Sequence, residues 1–123
     1  MATLNDRVFD NGLTVLDTEA NKITITSQEA TTYTEGNATY ALGNSTSISI
    51  SAPADRTGGG RKVTVSAITG GSVTATGTAT HYAILDTVNS RLLATGSLTA
   101  SQAVTSGNTF TLSTFDIGIP DPV

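Results

Sequence analysis

The 123-residue chain has no cysteine, no tryptophan and a single histidine. Without thiols it can build neither a disulfide framework nor a thiolate zinc site, and it carries no cysteine nucleophile. Cations are scarce as well: six Lys and Arg stand against ten Asp and Glu, a formal net charge of −4. That balance cannot neutralise a run of phosphates, so no nucleic-acid partner is expected. No apolar run approaches the roughly 18 residues of a membrane-spanning helix, so no membrane partner is expected either. The opening Met1-Ala2-Thr3-Leu4-Asn5-Asp6 lacks the basic and apolar regions of a secretory signal. Synthesis in a cytoplasm is the expectation, with use there or in a particle assembled there.

What is abundant is small and polar. There are 36 Ser and Thr residues and 12 Gly, together well over a third of the chain. Such a composition fits disorder, because charge-poor Ser/Gly tracts bury little. It also fits a β-rich domain, in which Thr sits on pleated surfaces and Gly supplies turns. The apolar positions decide between the two. They are mostly Val, Ile and Leu, and many alternate with Thr or Ser, the pattern of half-buried strands.

Along the chain, Leu4, Val8, Phe9, Leu13, Leu16 and Ala20 line one helical stripe, with Asn5 or Asp6 placed to cap it. Asp10-Asn11-Gly12 is equally the chemistry of a hairpin turn, so residues 4–20 read as a helix, broken or continuous at Gly12, or as a hairpin. From Lys22 the period becomes two. Lys22–Ser27 alternates cleanly, Gly36-Asn37 marks a turn, and Ser45–Ser51 alternates again. Pro53–Gly60 reads as a loop, and Arg61–Ala67 as a strand with Val63 and Val65 on one face. Thr69–Ser72 reads as a turn before a weak strand over 73–79. Thr80–Asp86 and Arg91–Gly96 form a hairpin around Asp86–Ser90. Leu98–Thr105 reads as a connection with Ala103 and Val104 inward, and Asn108–Ser113 as a strand with Phe110 and Leu112 inward. The prolines at 120 and 122 keep the last segment extended and outside any central strand.

Short strands every 8–12 residues with Gly-rich turns predict a mainly β fold, a single antiparallel β-sandwich or small barrel with a short N-terminal helical segment. The expected organisation is one domain: an N-terminal arm or helix over 1–21, the sandwich over 22–114 and an extended tail over 115–123.

Titratable groups that could do chemistry are few. His81 lacks a Gly-x-Ser-x-Gly nucleophile and is expected as a strand residue beside Tyr82, held by a hydrogen bond. Asp6, Asp10 and Asp17 can share a helix face, but without the spacing of a calcium loop they read as a solvated face. Gly58-Gly59-Gly60-Arg61-Lys62 resembles a phosphate cradle only in part, because its spacing is wrong and a strand follows it. A hairpin loop ending in two cations is the expectation. Asn37-Ala38-Thr39 and Asn44-Ser45-Thr46 match the glycosylation sequon and read as turn chemistry. No catalytic residue, cofactor or metal is expected, and the chain reads as a structural or binding module.

Three stretches carry a family resemblance. Thr80-His81-Tyr82-Ala83-Ile84-Leu85-Asp86, then Arg91-Leu92-Leu93-Ala94-Thr95-Gly96-Ser97-Leu98-Thr99, then Gln102–Leu112 with its Val-x-x-Gly-Asn-Thr-Phe core, resemble small virion proteins of tailed bacteriophages. Val8, Leu13, Val15 and Leu16 are similar to the helix-like opening of the same proteins. The resemblance implies a virion component made in the host cytoplasm: a capsid decoration (cement) protein on the outside of the major capsid lattice, or a tail or fibre component that binds a receptor or glycan. It implies the major capsid protein or tail proteins as partners, and a homo-oligomer such as a trimer. The expected docking residues are at the two ends: Val8, Leu13 and Leu16 in the N-terminal segment, Ile119 and Pro120 in the tail. Tyr33, Tyr40 and Tyr82 are the residues that could stack on a sugar.

Overall fold

A computed structural model of the chain describes the backbone of residues 6–120 and the side chains of residues 11–120. The protein is mainly β and antiparallel, with one N-terminal helix, as the period-two patterning predicts. Helix α1, Asp6–Glu19, is continuous through Gly12, so the helical stripe prevails over the Asp10-Asn11-Gly12 turn signal. A mid-helix glycine costs only about 1 kcal/mol relative to alanine, less than burial of the leucine stripe returns. The chain then divides into two compact units, each assembled from separated stretches of sequence. The stretch expected as one sandwich, 22–114, is shared between them.

The larger unit, residues 20–48 and 68–112, is built on a six-stranded sheet. Its strands are β1 (Lys22–Thr26), β2 (Ala41–Ser45), β5 (Ile68–Val73), β6 (Gly77–Asp86), β7 (Arg91–Val104) and β8 (Thr109–Leu112), in the order β7-β6-β1-β2-β5-β8. The sheet curls into half of a barrel. Cross-strand register places Ile23 and Ile25 of β1 on one face with Ile84 of β6, and Thr24 and Thr26 on the other with Ala83 and Leu85. All these side chains are buried, so the central strand is covered on both faces although its sequence alternates. The cover on the threonine face is a π-helical turn, Glu35–Thr39. Thr24 Oγ1 donates to its Gly36 carbonyl at 2.7 Å. A Cβ on Gly36 would stand 3.2 Å from Ala83 Cβ and 3.3 Å from Leu85 Cδ2, tighter than ordinary contact, so the glycine lets the turn lie close without displacing those side chains. The glycine expected to mark a turn instead packs a one-turn helix onto the sheet.

Three further expectations change in this unit. Thr69–Ser72 is the middle of β5, and the turn falls at 74–76. The ring of Phe110 occupies the place of a Cβ on Gly71 and lies 3.1 Å from that of Gly43, so these glycines are the bed of an aromatic side chain. Leu98–Thr105 is not a free connection, because β7 runs on to Val104, where Val104 is buried and Ala103 exposed. Its register does break there: His81 pairs with Ser97 and Ala79 with Gln102, so residues 98–101 form a bulge. Ser45–Ser51 is not a strand beyond Ser45. Among the described residues its regular pairing beyond β2 is the isolated bridge of Ile50 to Val65.

The smaller unit holds α1 and a three-stranded sheet of β3 (Ala54–Asp55), β4 (Arg61–Val65) and β9 (Phe115–Ile119), in that order. Val63 and Val65 share one face as predicted, fully buried, and α1 lies against β4. The Pro53–Gly60 loop is the β3–β4 hairpin. Its tip residues Gly58, Gly59 and Gly60 all have positive φ, a conformation that favours glycine. The segment expected as an extended tail is extended, but it pairs with β4 in unbroken register from Phe115 to Ile119. Pro120 follows directly, and β9 is an edge strand, where proline belongs.

Candidate interaction surfaces

The three-stranded sheet and its β3–β4 loop carry five charged side chains, Asp55, Arg56, Arg61, Lys62 and Asp116. Alternation along β4 puts Lys62 and Thr64 on the face opposite Val63 and Val65. There Asp116 of β9 accepts from Lys62 Nζ at 2.8 Å and from Thr64 Oγ1 at 2.7 Å. The Lys62 hydrogen bond, with the Thr64 hydroxyl next, holds the Asp116 carboxyl below the usual carboxylate range. At the hairpin, Arg61 Nη1 donates to Asp55 at 2.6 Å. Arg56 Nη1 turns back onto the Gly59 carbonyl at 3.0 Å. The Gly59 N–H in turn is taken by the Arg56 carbonyl. A phosphate cradle needs several free N–H groups converging on one point, and this loop spends its donor internally and turns carbonyls inward. Arg61 and Lys62, expected as two cations at a loop end, are each paired with a carboxylate.

The predicted docking residues separate into two groups. Leu13 and Leu16 are 2% and 8% exposed, so they are core residues of the helix and offer no docking surface, a correction to the expectation. The same stripe that predicts the helix requires this, because the apolar face of an amphipathic helix turns to the core. Val8 lies in α1, and its side chain is outside the described residues. Among the described residues of the helix the exposed large apolar one is Val15, at 39%, which falls off the predicted stripe. Ile119 and Pro120 are exposed, Ile119 at 37%. The fold brings the two ends together: Ile119 Cδ1 is 3.9 Å from the position of a Cβ on Gly12.

In the larger unit the β6–β7 hairpin turns at Thr87–Ser90 as predicted, with Ser90 at φ 55°. Its tip is braced by Asp86, whose side chain is 2% exposed. That carboxylate accepts from the Val88 and Asn89 N–H groups at 3.0 and 3.3 Å and from Asn89 Nδ2 at 2.8 Å. The Asn89 side-chain bond is the largest influence holding the Asp86 carboxyl below its ordinary range. Asn21 Oδ1 adds a brace by accepting from the Thr87 N–H at 3.0 Å. Val88 at the tip is 81% exposed. An Asp directly ahead of a turn, able to accept from the N–H two residues on, is a local signal that was available in the sequence.

No protein-family model, curated protein or solved structure matches the chain. The site rests on its own geometry. His81 is a β6 residue, as predicted, with Nδ1 2.8 Å from Thr80 Oγ1. Thr80 gives its one hydroxyl proton to the Ser27 carbonyl, which leaves His81 Nδ1–H as the donor of that bond. Asp17 is exposed, while the side chains of Asp6 and Asp10 lie outside the described residues. Among the described residues no group of three or more His, Asp or Glu is placed to hold a metal ion. None of the described helices is long and apolar enough to cross a membrane.

Glu35 was not anticipated. It accepts from the Thr31 N–H and hydroxyl, both at 2.8 Å, and from Tyr40 OH at 3.2 Å. The Thr31 N–H chiefly lowers its pKa, and its charge in turn raises that of Tyr40. Tyr33, Tyr40 and Tyr82 are each half-buried.

Proposed function

We propose that this chain is a structural protein of a tailed-phage virion, a decoration protein that binds the outer surface of the major capsid lattice. The supporting observation is that residues 80–112, which resemble virion proteins, supply both edges of the larger sheet, the braced β6–β7 hairpin on one side and β8 on the other. A decoration protein works by presenting a fixed shape. Here the tip is held by hydrogen bonds to Asp86 and Asn21, so docking through it would cost little ordering entropy. Repetition around a shell makes even a weak single contact effective. The second apolar spot, Gly12 with Ile119 and Pro120, lies at the chain ends where docking is expected.

Electron microscopy of the encoding phage's shells, assembled with and without the protein, tests the reading. Regular added density on the capsid surface is the expected result. Density confined to the tail would instead favour a tail or fibre component. That Tyr33, Tyr40 and Tyr82 are only half-buried favours that second reading, since a sugar can stack on an accessible ring, and a glycan array would then give binding that falls when Tyr33 or Tyr40 becomes alanine.

A further inference from the structure

The four sheet edges differ in how they are finished. On β8 the Thr111 carbonyl is capped by Gln102 Nε2 at 3.1 Å. On β7 the ladder is broken by extra residues at Leu93 and at 98–101, and bulges of this kind blunt an edge. β3 has two residues and follows Pro53. β9 alone has five residues in unbroken register, and among the described residues only β4 pairs with it.

The hydrogen bonds around Ile50 and Val65 fix which β9 groups are open. Ser51 N–H donates to the Thr64 carbonyl and Ser66 N–H to that of Ser49, so Val65 directs its own N–H and C=O toward β9. Phe115, Ile117 and Ile119 therefore face β4, and Asp116 and Gly118 direct their N–H and C=O outward. Both residues are exposed.

We infer that this edge pairs with the β9 edge of a second copy of the chain, antiparallel about a two-fold axis through Ile117. In that register Asp116 exchanges both backbone hydrogen bonds with the second copy's Gly118, and Gly118 does so with its Asp116. Ile117 meets Ile117, and Phe115 meets Ile119, on one apolar face. On the other face Asp116 lies across from a glycine, over which the second copy's Arg56 is folded, because Arg56 Cδ is 2.9 Å and Nε 3.1 Å from a Cβ on Gly118. The carboxylate thus meets a guanidinium. The neighbouring registers are disfavoured. One sets Asp116 against Asp116, a like-charge pair. The other sets Asp116 against Pro120, which has no N–H to give. The two three-stranded sheets become one of six strands. Two paired five-residue strands cover less than the roughly 1,000 Å² of a stable interface, so the dimer is weak and forms at high local concentration, as on a repeating surface.

Sedimentation velocity and amide exchange of the full-length protein over a concentration series test this. The expected result is a monomer–dimer equilibrium with Kd between about 10 µM and 1 mM, and exchange at the Asp116 and Gly118 amides slowed about tenfold in the dimer. Arg56→Glu is expected to weaken the dimer about tenfold, and Arg56→Glu with Asp116→Arg to restore it. A monomer up to about 1 mM, or a dimer in which those two amides exchange unchanged, overturns the inference. An Arg56→Glu dimer as strong as the wild type overturns the register.

Discussion

The two sheets solve the same problem in opposite ways. In the six-stranded sheet the central strand β1 is covered on both faces, and even its threonines are buried. The three-stranded sheet buries Val63 and Val65 on one face and leaves Lys62, Thr64 and Asp116 on the other as a solvated ion-pair network. Both strands alternate in sequence. Thr24 is buried because the π-helical turn lies over it, while Thr64 stays partly exposed beside charged neighbours. Alternation therefore identifies a strand without saying whether its polar face is wet.

Substitutions at the two sheets should separate in size. The largest loss is expected from Ile84→Ala, which empties a fully buried site in the larger sheet and should cost about 2–5 kcal/mol in denaturant unfolding. Ile117→Ala on half-buried β9 should cost distinctly less, and equal losses would break the contrast. Gly71→Ala comes next, because the new methyl must displace the Phe110 ring or its strand, and about 1–3 kcal/mol is expected. Thr26→Val should do the reverse. Thr26 Oγ1 is buried with no hydrogen-bond partner, so removing the hydroxyl at constant shape should stabilise by about 1 kcal/mol. A loss of stability there would mean that the hydroxyl is satisfied in solution.

Acid should weaken both sheets through their carboxylates. Asp86, Asp116 and Glu35 all have pKa values lowered in the folded protein. The unfolded chain then binds more protons than the native one as pH falls through the carboxylate range. Their contribution is complete above the ordinary values and is lost as pH drops through the lowered ones. Asp86→Asn should flatten this acid limb more than Asp116→Asn, since Asp86 organises a turn while Asp116 holds exposed partners. The smallest effect is expected from salt on the Lys62–Asp116 pair: added salt should shift the unfolding midpoint slightly in wild type and not in Asp116→Asn, because exposed pairs are screened.

Much of the fold was legible locally. The α1 stripe, the 80–96 hairpin, Val63 with Val65, and Phe110 with Leu112 all follow from apolar spacing and turn residues. The misreadings have separate sources. Gly70-Gly71 and Gly36-Asn37 look like turns because glycine is the commonest turn residue, yet Gly71 makes room for the Phe110 ring and Gly36 lies close against Ala83 and Leu85. Ser45–Ser51 alternates, yet it meets β4 only around the Ile50–Val65 bridge, too short a pairing to make a strand of it. Leu13 and Leu16 were read both as a helix stripe and as a docking patch, and one face cannot serve both. The openness of the β9 edge was not legible at all, since it depends on which strand lies beside it.

The sequence by itself determined the class of structure: β-rich, antiparallel, opened by an amphipathic helix. These follow from period, propensity and turn chemistry, which act between residues near in the chain. Only the tertiary structure decided which polar faces are dry, which glycines are contact points and which edge remains unpaired. Each of those depends on a neighbour distant in sequence, and burial and hydrogen bonding are properties of that neighbour as much as of the residue.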